Sequence, residues 1–122
     1  MESIYQRYYS PEGQRAIYCI GRNYVAHAHE LKNEIPTSPM WFDKPMSSLL
    51  LPGEPFVMKP QYGEIHHELE LGVVIGMPGR HIRVEDALKH IGGYFVGIDF
   101  TNRSLQTVNK QLKQDWCCSK GA

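Results

Sequence analysis

The chain reads as a β-rich α+β fold. Three observations lead there: strand-like apolar runs outnumber helical stretches, only short helices intervene, and no Gly-x-Gly-x-x-Gly or phosphate-binding loop marks a doubly wound nucleotide fold. A length of 122 residues allows one domain or part of one, and 42% hydrophobic residues suffice to bury a core. Thirteen basic residues balance thirteen acidic ones, so no basic stripe points to nucleic acid. The longest apolar runs are too short to cross a bilayer, and Met1 to Ser10 holds no apolar signal core. An intracellular soluble protein is expected, in the cytoplasm, with the mitochondrion also open.

Residues 1–15 are polar and aromatic without periodicity and read as an irregular or partly helical lead. Residues 16–20, with Cys19 among them, read as a buried strand, and Gly21-Arg22-Asn23-Tyr24 as a turn. Residues 24–34 read as a helix that must end before Pro36. His27 and Glu30 stand three apart on it, hence on one face and within hydrogen-bonding reach. By spacing alone they are as well read as a surface pair. Met40-Trp41-Phe42 reads as a short strand running into Asp43-Lys44-Pro45. Four Pro and Gly residues then punctuate the chain to Pro60, with a strand expected at Phe56-Val57-Met58.

The segment 66–76 is the most informative. Leu69, Leu71, Val73 and Ile75 alternate at period two, which marks a strand and places Glu68 and Glu70 together on its other face. Two carboxylates side by side repel each other, and burial sharpens the repulsion. Water, a basic partner or a divalent cation relieves it. Residues 84–90 read as a short amphipathic helix. Residues 94–99 read as a strand ending in Asp99, a third carboxylate. Such an all-oxygen set suits Mg²⁺ or Mn²⁺ better than Zn²⁺. A solvated Glu-x-Glu face is the plain alternative. A Zn²⁺ site using His66 or His67 lacks a second ligand at a familiar spacing. Residues 101–114 carry Leu105, Val108 and Leu112 at roughly helical spacing, and 116–122 show no readable regular structure. The three cysteines are expected as free thiols, since adjacent Cys117 and Cys118 are poorly placed for a disulfide.

These motifs line up in order: Ile20-Gly21-Arg22-Asn23-Tyr24 with His27 and Glu30; Lys44-Pro45; His67-Glu68-Leu69-Glu70-Leu71; Gly92-Gly93-Tyr94; Asp99 with Thr101, Arg103 and Gln106; Trp116; and Lys120-Gly121. The series resembles the fumarylacetoacetate hydrolase superfamily, and its acylpyruvase and oxaloacetate decarboxylase branch in particular. The resemblance implies a mixed β-sheet roll, of which residues 16–122 would be the N-terminal part of the catalytic domain. It implies one Mg²⁺ or Mn²⁺ held by Glu68, Glu70 and Asp99. It implies that Glu30 orients His27, that His27 activates water or moves a proton, and that Lys120 holds the water or an oxyanion. Arg22, Lys44, Arg103 and Gln106 match positions near the family's active site, where a 2-oxo acid substrate would lie. Arg22, Lys44 and Arg103 are equally open to structural roles.

The implied reaction is hydrolysis of a 3-acylpyruvate, with decarboxylation of oxaloacetate as a second activity and a homodimer as the assembly. Two positions depart from the pattern: Ser104 stands where the branch often has an acid, and Met46 where a small hydroxyl residue is usual. Family catalytic domains run to roughly twice this length. A truncated, non-catalytic or partner-binding member is therefore the competing expectation, and a β-rich binding module with merely solvated carboxylates is a third.

Overall fold

A computed structural model describes residues 16–30 and 34–121. The expected lead at 1–15, the helical stretch at 31–33 and Ala122 lie outside the described residues, as does the side chain of His27. The architecture is α+β and strand-rich, with two two-stranded sheets. The chain divides into two compact units. One is His67–Asp99. The other holds the described residues of Arg15–His66 and Phe100–Ala122.

In the second unit, β1 (Ile17–Gly21) pairs antiparallel with β2 (Met40–Lys44), Cys19 opposite Phe42 and Ile17 opposite Lys44. Ile17, Cys19, Phe42 and Lys44 share the half-buried face, while Tyr18 and Trp41 are exposed. The strand expected at 16–20 is thus half-buried on one face only. Between β1 and β2 lies α1 (Val25–Glu30), a short helix inside the 24–34 expected. A 3-10 turn at Met46–Ser48 follows Lys44-Pro45. Phe56-Val57-Met58 forms no ladder. It is held instead by Phe56 stacked on Phe100, ring centroids 4.0 Å apart.

The other sheet pairs β3 (Ile65–Ile75) with β4 (Ile91–Asn102). Gly76 N–H donates to the carbonyl of His90, and Phe95 covers Gly72, so the strands run antiparallel. A Cβ on Gly72 would lie 2.2 Å from that ring, which explains the gap in the side-chain row. The segment Val84–His90 before β4 is 3-10 rather than α. After β4 comes α2 (Arg103–Leu112), and then α3 (Cys117–Lys120), a short helix where the sequence shows none. Asn102 caps α2 by accepting from Leu105 N–H at 3.0 Å, and Lys113 closes it in the left-handed conformation with φ 54°.

Burial runs opposite to the ordinary sense. On β3, Glu68, Glu70, Gly72 and Val74 are half-buried, and Leu69, Leu71, Val73 and Ile75 are exposed. On β4, Tyr94, Val96 and Ile98 are exposed and Asp99 is buried. Helix α2 repeats the inversion: it buries Gln106 and Asn109 and exposes Val108 and Leu112. Among the described residues Ala28 is the sole fully buried apolar side chain. Among the described residues, the apolar core expected from composition does not form. The outer apolar face would gain about 1.5–3 kcal/mol per large side chain on full burial, and that gain is not realised in this chain.

The open face is testable. Leu71 is 62% exposed, so Leu71→Lys should change the urea stability of the 122-residue chain by less than about 0.5 kcal/mol and lower its binding of a hydrophobic dye. A loss of 2 kcal/mol or more would mean that the face is covered.

Candidate functional site

The three carboxylates expected as metal ligands all lie in the His67–Asp99 unit. Strand alternation puts Glu68 and Glu70 on the inner face of β3, the face of Gly72. On β4 alternation puts Asp99 on the same face as Phe95, and the Phe95 ring lies over Gly72, so Asp99 shares a face of the sheet with Glu68 and Glu70. Asp99 is 8% exposed. Among the described residues no three His, Cys, Asp or Glu side chains come close enough together to hold an ion. The residues fit a hard divalent cation in charge, donor type and face, without converging on one point.

In the other unit, a buried ammonium is the main feature. Lys120 is 3% exposed, and its Nζ donates to Thr101 Oγ1 at 2.8 Å and lies 5.0 Å from the centre of the Phe42 ring. Neighbouring Ser119 is buried and donates to the carbonyl of Trp116 at 2.9 Å. The segment is fixed by Lys44, whose Nζ donates to the carbonyl of Lys120 and, at 3.3 Å, to that of Phe100. Lys44 thus ties the end of β2 to the end of β4 and to α3. Gly121 lets the chain pass Pro45 closely: a Cβ there would meet Pro45 Cγ at 2.8 Å and the Cys117 carbonyl at 2.9 Å.

The structure also brings Arg103 and Gln106 together. Arg103 Nη1 donates to Gln106 Oε1 at 2.6 Å across one turn of α2, and Gln106 is 3% exposed. Arg22 sits half-buried in the β1–α1 turn with φ 56°, a strained value for a non-glycine residue. Glu30 ends α1 with an exposed side chain. His27 stands on the same helix, but its side chain lies outside the described residues, so the expected dyad has no measured geometry.

Two features escape sequence reasoning. Asn109 is buried one turn after Gln106, and its Oδ1 has no hydrogen-bond partner among the described residues. The i, i+3 spacing of two amides was the available signal. Ser104, the departure noted above, accepts from Glu64 N–H at 2.9 Å, while Arg103 N–H donates to the Glu64 carbonyl at 2.7 Å. The loop before β3 is thereby docked on the first turn of α2. Cys19, Cys117 and Cys118 are free thiols, as expected. Lost solvation pushes the Cys117 thiol up, and the carboxylates of Asp43 and Asp115 push it the same way, so it is a poor nucleophile at neutral pH.

Comparisons with known proteins point to one family. The sequence model of the family described as "Fumarylacetoacetate (FAA) hydrolase C-terminal" matches residues 16–122. The chain is 45% identical over 111 residues to a mitochondrial oxaloacetate decarboxylase of Dictyostelium discoideum, covering 90% of this chain and 51% of that protein. It is 44% identical over 104 residues to a mitochondrial oxaloacetate tautomerase of Caenorhabditis elegans, covering 85% and 49%. A crystal structure of fumarylpyruvate hydrolase from Pseudomonas aeruginosa, in complex with Mn²⁺ and pyruvate, superposes with a TM-score of 0.77 at 36% identity, over 87% of this chain and 48% of that one. The chain spans about half the length of the curated relatives it matches.

Two measurements check the local geometry. Asn102→Ala removes the α2 cap and should cost about 1 kcal/mol in urea unfolding; no loss would mean that the cap bond is absent. Alkylation of Cys117 should still accelerate with pH above about pH 9, past the ordinary thiol range. A rate already level at neutral pH would contradict its raised pKa.

Proposed function

The chain belongs to the fumarylacetoacetate hydrolase family, and from that premise we propose that it carries the metal-binding half of an enzyme acting on 2-oxo acids, with oxaloacetate as the first substrate to test. The observation that supports this reading is strand alternation, which turns Glu68 and Glu70 of β3 and Asp99 of β4 to the less exposed face of their strands, without bringing them to one point among the described residues. Three carboxylates on one strand face, Asp99 buried and Glu68 and Glu70 half-buried, are the donor type that a hard divalent cation takes. These residues would hold Mg²⁺ or Mn²⁺. When bound, such an ion polarises the 2-oxo carbonyl and stabilises negative charge on its oxygen.

The chain's own residues are assigned the remaining tasks. Glu30 orients His27, and His27 moves the proton: off C3 of oxaloacetate in tautomerisation, or back onto C3 after CO₂ has left in decarboxylation. In both reactions the electron pair released at C3 is delocalised toward the 2-oxo oxygen. Hydrolysis of a 3-acylpyruvate shares this feature: water adds to the distal carbonyl, the C3–C4 bond breaks, and pyruvate leaves as its enolate beside a carboxylic acid. Lys120 already donates to Thr101 in a water-poor setting and supplies positive charge for an oxyanion or an attacking water. Gln106, held by Arg103, contacts a substrate carboxylate. Lys44 acts by holding the Lys120 segment rather than by touching substrate, consistent with its bonds to the carbonyls of Phe100 and Lys120.

The names of the curated relatives favour oxaloacetate decarboxylation or tautomerisation and a mitochondrial setting, while the similar fumarylpyruvate hydrolase keeps hydrolysis of an acylpyruvate beside them. The homodimer expected from the family remains part of the proposal. A second reading, a non-catalytic piece that works by joining a partner, is favoured by one observation: the open apolar face of β3 and β4.

Consumption of oxaloacetate by the purified chain, with Mn²⁺ and then with excess chelator, separates the two. Metal-dependent turnover supports the enzyme, and His27→Ala should then lose turnover while still binding Mn²⁺. No turnover from a soluble, monodisperse chain supports the partner-binding reading.

A further inference from the structure

The Glu64 loop, the first residues of β3 and the start of α2 form a hydrogen-bonded row that ends at Gln106. His66 Nε2 lies 2.8 Å from Glu64 Oε1, and His66 Nδ1 lies 3.4 Å from Arg103 Nη2. Arg103 Nη1 in turn donates to Gln106 Oε1 at 2.6 Å.

The chemistry of the partners fixes the direction of each bond. A guanidinium has donors and no acceptor, so His66 Nδ1 must offer its lone pair. An ionised carboxylate accepts only, so the ring proton belongs on Nε2, facing Glu64. The same logic reaches the far end. Gln106 Oε1 is engaged by Arg103, which turns the amide so that its NH₂ faces away from the guanidinium. A glutamine amide can present either a donor or an acceptor, and this row selects the donor. That is the polarity needed for a carboxylate oxygen and the wrong one for a hydroxyl or ammonium hydrogen.

From this geometry we infer that His66, set by Glu64, is a positioning residue: it fixes the Arg103 plane and thereby presents the Gln106 amide N–H to the carboxylate of a 2-oxo acid. The inference rests on the reading of Gln106 given under Proposed function. It assigns His66 neither to a metal nor to proton transfer.

The row is built into the backbone as well as the side chains. Glu64 is held by the Arg103 N–H on its carbonyl and by its own N–H to Ser104 Oγ. Gly63 is required beside it, since a Cβ there would lie 2.3 Å from Ser104 Oγ. Ser104 thus supplies an acceptor for the loop that an acid in the same place would supply with different reach and charge. Glu64 and His66 are the more exposed members, Arg103 is half-buried and Gln106 is buried, so order passes from the surface inward.

Two readouts test the row. The first needs no activity: long-range ¹⁵N–¹H correlation of the His66 ring, which reads the tautomer directly. The proton on Nε2 supports the row, and a proton on Nδ1 overturns it. The second is calorimetric binding of pyruvate to the Mn²⁺-loaded chain. His66→Ala should weaken binding roughly tenfold, about the upper range of one neutral hydrogen bond. His66→Asn keeps an acceptor near the Nδ1 position and should recover most of that loss. Equal loss in both variants, or none in His66→Ala, overturns the positioning role. Gln106→Ala separates this from the underlying reading: unchanged pyruvate binding in it removes Gln106 from carboxylate recognition. Loss in Gln106→Ala but not in His66→Ala removes only the row. A wild-type chain that binds no pyruvate overturns the carboxylate reading, and the ring tautomer still decides whether the row exists.

Discussion

Strand alternation on β3 and β4 sets the character of the molecule. It leaves no choice but to put Glu68 and Glu70 on one face when Leu69, Leu71, Val73 and Ile75 are on the other. The structure turns the carboxylates inward and the aliphatic residues outward. Helix α2 does the same with Gln106 and Asn109 against Val108 and Leu112. A free-standing domain would gain from the reverse arrangement, because burying apolar area is the main favourable term in folding. The inverted order makes sense when the inner side is a polar site and the outer side a surface to be covered. It also matches a chain that spans about half the length of its curated relatives.

In the unit that holds Lys44 and Lys120, polar residues are fixed by bonds that link distant segments. Lys44 joins the end of β2 to the carbonyls of Phe100 and Lys120, and Lys120 reaches back to Thr101. These are charge-assisted bonds at low exposure, where an unmet donor is costly. They bring residues from positions 44, 100, 101 and 120 together where few apolar contacts could do so. The Arg103–Gln106 pair and the docked Glu64 loop extend the same construction to the start of α2.

Much of this was legible in the sequence. Period two identified β3 and paired Glu68 with Glu70, and the run from Tyr94 to Asp99 located the third carboxylate. Which face turns inward was not legible, because alternation reads the same either way. The expected strand at Phe56–Met58 failed for a tertiary reason: Phe56 found a ring to stack on instead of a strand to pair with. Helix α3 was missed because four residues are too few to show a period. The row from Glu64 to Gln106 was invisible because it depends on a loop meeting a helix start some forty residues later. In sequence, a zinc role for His66 or His67 lacked a second ligand at a familiar spacing. In the structure the two nitrogens of His66 face a carboxylate and a guanidinium.

Mn²⁺ binding by the 122-residue chain, measured by calorimetry on wild type, Glu70→Ala and Leu71→Lys, tests the inward carboxylate face most directly. The account predicts binding by wild type, loss in Glu70→Ala and retention in Leu71→Lys, since neighbouring residues on opposite faces have opposite roles. Tight binding by Glu70→Ala, or loss in Leu71→Lys with the fold intact, would contradict it.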